Sequence, residues 1–163
     1  MNVKSYFRVL DLLFYALLGG QLFLAIMVLG LVKLLLFKTT IDPYNMLYYF
    51  TDLIIVAGTY YGGNFIYNKM MQKIKDAENL ITKFNLMRTA FIIKFALLEA
   101  GSFISLVFYI LTTDYMFLII AFMIILLFFI SKMNKEKIIN DMNLSSEEKQ
   151  VLNNPDAIIS SEI

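Results

Sequence analysis

Histidine and cysteine are absent from all 163 residues, and only 17% of the side chains are charged. Without imidazole or thiol the chain lacks the usual ligands of zinc, haem and copper. It cannot form a disulfide, and it cannot run serine or cysteine chemistry through a histidine base. Most membrane enzymes and all bis-histidine cytochromes are thereby excluded, so neither catalysis nor a metal or other cofactor is expected. The scarcity of charge excludes a soluble domain as well. Hydrophobic residues make up 60% of the chain and the mean hydropathy is +0.70, whereas soluble domains are about half apolar and a quarter charged. A net charge of +1 gives no reason to expect nucleic acid as a partner. The ten Met and fifteen Phe read as lipid-facing and packing residues, not as a cofactor box.

What remains is apolar sequence in spans. LLFYALLGGQLFLAIMVLGLV, residues 12–32, is too long for a signal-peptide core and no small-residue cleavage site follows it. A second span covers about 46–67 and includes YYFTDLIIVAGTYYGGNFIY, the least apolar of the set; a third covers 89–112, and a fourth, YMFLIIAFMIILLFFIS, covers 115–131. The expected fold is all-α: a polytopic membrane protein with a bundle of four transmembrane helices over residues 1–131 and a tail over 132–163. Basic residues set the orientation. Lys4, Arg8, five cations between Lys69 and Arg88, and Lys132, Lys135 and Lys137 share one side, against Lys33 and Lys38 on the other. Both termini should be cytoplasmic, in a bacterial inner membrane. Tyr44, Tyr48, Tyr49, Tyr109 and Tyr115 would gather near the outer interface.

Residues 68–88 contain no Gly or Pro, and Met70, Met71, Ile74, Leu80, Ile81 and Phe84 recur at helical spacing between charges. Spans two and three should therefore project past the membrane as a helical hairpin that breaks near Glu78 and Asn79. Its basic residues suit the anionic leaflet. In the tail, Ser145 and Glu148 have capping-box spacing, and Asn153, Asn154 and Pro155 should stop that short helix. A tail of this size cannot form a core alone, so it should lie on the membrane surface or stay mobile.

Helices in lipid associate through small residues and occasional polar contacts. Ala16, Gly19 and Gly20 in span one, Gly58, Gly62 and Gly63 in span two, and Ala96, Ala100, Gly101 and Ser105 in span three are candidate packing seams. Span four has only Ala121 and should be peripheral. The stretch FIIKFALLEAGSF, residues 91–103, sets two charges inside span three. Lys94 lies about 9 Å beyond Arg88, close enough for its stem to reach the headgroups, and Glu99 about 16 Å beyond it, near the midplane. Five residues apart, they lie on different helical faces. Glu99 is surrounded by Ile92, Phe95, Ala96, Ser102, Phe103 and Leu106, where a bare carboxylate is costly. Gln21, Thr59, Tyr60 and Asn64 are its candidate partners. Asp52, shallower, is a candidate water-accessible group. Glu99 admits two readings, an acid that hydrogen-bonds across the bundle and fixes packing, and a proton or ion site formed with Gln21, Asp52 and Asn64.

FYALLGGQLFL at 14–24, LMRTAFIIKFALLEAGSFISLVFYILT at 86–112 and KEKIINDMNLSSEE in the tail together resemble a group of small four-span bacterial membrane proteins. The resemblance covers most of the chain and implies a shared fold without implying an activity. ALLEAGSF is faintly similar to the ion-binding helix of rotary-ATPase proteolipids, but seven glycines are too few for their packed repeats. Small multidrug exporters also have four spans and one membrane Glu, in the first span, where this chain has it in the third. YYGGNFIYNK at 60–69 resembles a motif of lipoprotein signal peptidases, yet Tyr67 stands where the catalytic Asp would be. The chain is therefore expected to be a non-enzymatic interaction or accessory subunit, packed through its Gly/Ala seams and Glu99. Its partners would be the lipid bilayer and itself or another membrane protein. The alternative is a small proton-coupled transporter that uses Glu99.

Overall fold

The computed structural model describes residues 2–34, 46–132, 134–142, 144–154 and 157–158; Lys38, Tyr44 and Pro155 lie outside them. The described residues form helices α1 (Val3–Lys33), α2 (Met46–Asp76), α3 (Leu80–Thr112), α4 (Tyr115–Ile130), α5 (Lys135–Asp141) and α6 (Ser146–Asn153). None of these segments contains proline, which lets apolar runs of this length stay helical without a kink. Helices α1 and α3 are each long and apolar enough to cross a membrane. Two of the four expected spans fall short of that standard for separate reasons. Helix α2 carries Thr51, Asp52, Thr59, Asn64 and three glycines within its first two-thirds. Helix α4 has 16 residues, about 24 Å against a hydrocarbon core of about 30 Å, and reaches spanning length only together with the sharply bent α5.

Helix α3 is the central element. Helix α2 lies along one side of it, antiparallel, and α1 and α4 lie along the other and touch each other, while α1 and α2 barely meet. Span four is therefore less peripheral than its single alanine suggests. Phe117, Ala121 and Phe128 of α4 are fully buried, because large rings fill the space that small residues would otherwise close. Phe128 meets Phe14 and Phe95 at ring-centroid distances of 5.1 and 4.6 Å. Helix α1 buries one narrow stripe, Val3, Tyr6, Leu10, Phe14, Leu18, Gln21, Ala25, Val28 and Val32, in steps of three or four residues, as in a helix that contacts its neighbours along a single seam.

The α2–α3 hairpin breaks at residues 77–79. The Asn79 side chain accepts from Thr82 N at 2.8 Å, satisfying an otherwise free amide at the start of α3. At the opposite end Thr113 closes α3 in the left-handed region, φ 56°. Asp114 then caps α4 through Met116 N at 2.9 Å, and the Tyr49 hydroxyl donates to its other carboxylate oxygen, tying α2 to the α3–α4 turn.

The tail neither lies apart nor stands loose. Ile138, Met142, Leu144 and Leu152 are buried and join the core at the end where α1 begins and the hairpin breaks. The tail needs no core of its own because the hairpin and α1 supply the other wall. Glu148 completes a capping box with Ser145, and both its oxygens accept from the Lys83 ammonium at 2.9 Å. Burial of the Glu148 carboxyl opposes its ionisation, but the bonds from Lys83 and Ser145 outweigh it and hold the pKa below the usual value. Val3 N donates to Ala157 O at 3.1 Å, and Asn2 pairs with Ile158 in an isolated antiparallel bridge. Tyr6, fully buried, donates to Phe84 O at 2.8 Å, and burial raises the pKa of its phenol.

Candidate functional site

In the last third of α3 two polar contacts cross to its neighbours. Facing α1, the Ser102 hydroxyl lies 3.2 Å from Gln21 Oε1 and 3.0 Å from Glu99 O. Gln21 is fully buried, and its Nε2 has no acceptor among the described residues. One hydroxyl hydrogen cannot serve two acceptors well while an amide NH2 goes unused. With the amide turned over, Nε2 donates to Ser102 and Ser102 donates to Glu99 O, which uses both donors in the same space.

Facing α2, the Ser105 hydroxyl lies 2.9 and 3.1 Å from the two Asp52 carboxylate oxygens. Asp52 and Ser105 are both fully buried. Among the described residues no Lys or Arg forms an ion pair with Asp52; the two ion pairs found are Lys83–Glu148 and Lys132–Asp11. One hydroxyl is thus the side-chain partner of this carboxyl. Asp52 is accordingly a seam residue and not the water-accessible group suggested by its shallow position.

Small residues allow α2 and α3 this close approach at two points. A β-carbon at Gly101 would meet Thr59 Oγ1 at 2.7 Å, and one at Gly63 would meet Lys94 O at 3.4 Å. Thr59 cannot swing away freely, since its hydroxyl donates to Val56 O at 2.9 Å. Four other candidate seam glycines behave differently. Gly19, Gly20, Gly58 and Gly62 have no atom within 4 Å of the place a β-carbon would take. Among the described residues no other helix packs against them at these points.

Glu99 sits away from the polar contacts expected for it. It is half-buried on the α3 stripe shared by Ile92, Ala96 and Val107, all exposed; Ala100 beside it is half-buried. Gln21 meets Ser102 and the backbone of Glu99 lies next to that bond, but no described side chain hydrogen-bonds to the Glu99 carboxyl. Asn64 turns back along its own helix, donating to Tyr60 O at 3.1 Å. Lys94 lies over the Tyr67 ring, 4.9 Å from its centroid, and Tyr67 donates to Asp141 at 3.4 Å. Of the residues singled out from the sequence, the fold thus assembles two separate contacts, Gln21–Ser102 and Asp52–Ser105, and leaves Glu99 and Asn64 out of both.

The serines were the residues whose role the sequence understated. Asp52 and Ser105 stand nearly the same distance along the chain on either side of Glu78, and in an antiparallel hairpin such residues face each other. Among the described residues no three acidic side chains converge to hold a metal ion. Compared with known proteins, the chain matches no family model, no curated protein and no solved structure.

Proposed function

We propose that this is a multi-pass protein of the bacterial inner membrane, with four transmembrane helices, both termini cytoplasmic, and kinship with the small four-span group it resembles. In this reading it is a non-enzymatic interaction or accessory subunit whose outward small-residue faces receive helices of another copy or of a different membrane protein. The observation that carries it is the open space at Gly19, Gly20, Gly58 and Gly62. Small residues let helices approach closely in lipid, and here they are turned away from the chain's own helices. Glu99 supports the same reading. A carboxyl on a lipid-directed face is expensive, and an incoming helix with a hydrogen-bond donor would relieve it.

The absence of native cysteine makes the test direct. Single cysteines at Gly58 or Gly62 should cross-link in native membranes to a second chain, while cysteine at the inward Ala121 should not. Equal absence of product at both faces would sink the subunit reading.

One observation favours the second reading, a proton-coupled module. Asp52 and Glu99 both border the same hydroxyl-bearing stretch of α3, which holds Ser102 and Ser105. Labelling of Glu99 by a hydrophobic carbodiimide, suppressed as protons or a transported ion compete, is the outcome that reading requires. If Glu99→Gln leaves cross-linking and every phenotype unchanged, the proton module loses its anchor.

A further inference from the structure

Two cavities of about 420 and 380 Å³ adjoin at the charged end of α1 and share Phe7, Asp11 and Lys135 in their walls. Four cations line them, Lys4, Arg8, Lys132 and Lys135, against the single carboxylate of Asp11. Two of the four are fixed in place. Lys132 pairs with Asp11 at 3.1 Å and donates to the Tyr15 hydroxyl at 2.9 Å; Lys135 donates to Leu152 O at 3.1 Å and lies 5.6 Å from the Phe7 ring centroid. Lys4 and Arg8 are exposed and make no side-chain hydrogen bond or ion pair among the described residues. The docked tail builds one wall, since Ile138 lines the cleft and Lys135 is anchored to α6.

We propose that this cleft binds the phosphate headgroup of an anionic phospholipid of the inner leaflet. The inference rests on the membrane reading above, which sets Lys132 immediately past the fourth span and Asp11 immediately before the first, at headgroup level. Three features select a lipid over a free anion. The cleft opens where headgroups lie, its floor is apolar at Phe7, Leu10 and Ile138, and the exposed leucine and tyrosine of α1 just above it, Leu12 and Tyr15, offer a path for an acyl chain. Basic pockets on the cytoplasmic side of membrane helices take anionic headgroups by this combination of charge and position. Lys4 and Arg8 are the cations free to close on the phosphate, and Lys132 and Lys135 supply fixed field.

Native mass spectrometry of the full chain in detergent, titrated with phosphatidylglycerol, tests this. One phosphatidylglycerol should bind saturably and phosphatidylcholine should not. The double variant K4Q/R8Q should weaken binding roughly thirtyfold, at about fivefold per cation removed near a phosphate. The variant K69Q/K73Q removes the same charge from the hairpin and should leave binding unchanged. Equal weakening by the two variants would reduce the site to bulk attraction, and inorganic phosphate binding as tightly as the lipid would make it a free-anion site; either result overturns the proposal. Should K4Q/R8Q fold poorly, K4Q and R8Q singly must each weaken binding about fivefold. The membrane reading fails separately, if alkaline carbonate strips the chain from membranes.

Discussion

At the charged end, Tyr6, Lys83, Glu148 and Leu152 each bury or satisfy a group from another segment, so α1, the hairpin and the tail close on one another. Along the apolar middle, α3 meets α1 and α2 through one side-chain polar contact each, and Gly19, Gly20, Gly58 and Gly62 open outward. The contrast follows from solvent. Where water competes, a segment stays docked only if many groups are removed from it together. In lipid, apolar surface has nothing to gain by burial against another helix, so the middle can leave faces uncovered without penalty. Stability should therefore be concentrated at one end and availability for partners at the other.

Leu152 offers the hardest blow to the closed end. It is fully buried, and Leu152→Ala should cost about 2–5 kcal/mol, enough to release the tail. Limited proteolysis in detergent should then cut between residues 133 and 158 well before the α1–α4 segments. Simultaneous loss of both would mean that the two ends unfold as one unit, and the comparison would collapse.

Gly101→Ala probes the middle. The new methyl would stand against Thr59 Oγ1 at 2.7 Å and should cost about 1–3 kcal/mol through forced repacking. Thr59→Ala removes the obstructing oxygen, so the double variant should recover most of the loss in thermal midpoint. Failure to recover would show that the cost of the methyl does not come from the Thr59 contact but is spread along the α2–α3 seam.

Glu148→Gln should cost about 1–2 kcal/mol, because the bond to Lys83 loses its charge and the buried ammonium keeps a weaker acceptor. The pH dependence has a definite sign. The carboxyl's pKa in the folded chain lies below its ordinary 4.5, so its contribution is fully present above that value and is lost as pH falls through the lowered folded one. Tail release in wild type should thus begin only below pH 4.5, and the Gln variant should lack that step.

These contacts differ in how far the sequence announces them. The helix starts were legible, because Asn79 and the Ser145–Glu148 pair act on amides within their own first turn. So was the length of α3, which depends on composition alone. The docking of the tail was not, because Lys83 and Glu148 are 65 residues apart and the local sequence around each reads as ordinary solvated charge. Glu99 was misplaced for a related reason. Span three is apolar on nearly every side, so its sequence does not reveal which stripe turns inward; the phase is fixed by Phe84 and Phe95 meeting α1 and α4, and that phase carries Ser102 and Ser105 inward while Glu99 lies at the edge. The Asp52–Ser105 contact was recoverable by measuring outward from Glu78, since the hairpin break sets the register of everything beyond it.

Ser105→Ala should have a smaller effect, about 1 kcal/mol, by taking from Asp52 its hydroxyl donor. Asp52→Leu in the same background removes the unsatisfied group altogether and should restore the thermal midpoint if the loss comes from that carboxyl, and should leave it low if Ser105 matters only for packing.

The smallest effect on folding is expected where the effect on association should be greatest. Gly58→Leu and Gly62→Leu start from positions where no other helix among the described residues comes within 4 Å of a β-carbon, so neither should lower the stability of the isolated chain by more than about 0.5 kcal/mol. An incoming helix would meet that bulk at once, and small-residue interfaces lose their close approach when one side is filled. Cross-linking through a cysteine at Ala57, exposed beside Gly58, should therefore disappear in the double variant while the thermal midpoint in detergent does not fall. A midpoint that falls with the cross-link would place these glycines against the chain's own helices and cancel the difference between the two ends. An unchanged cross-link would show that the second chain meets α2 without close approach at these glycines, and the small-residue face would carry no part of the contact.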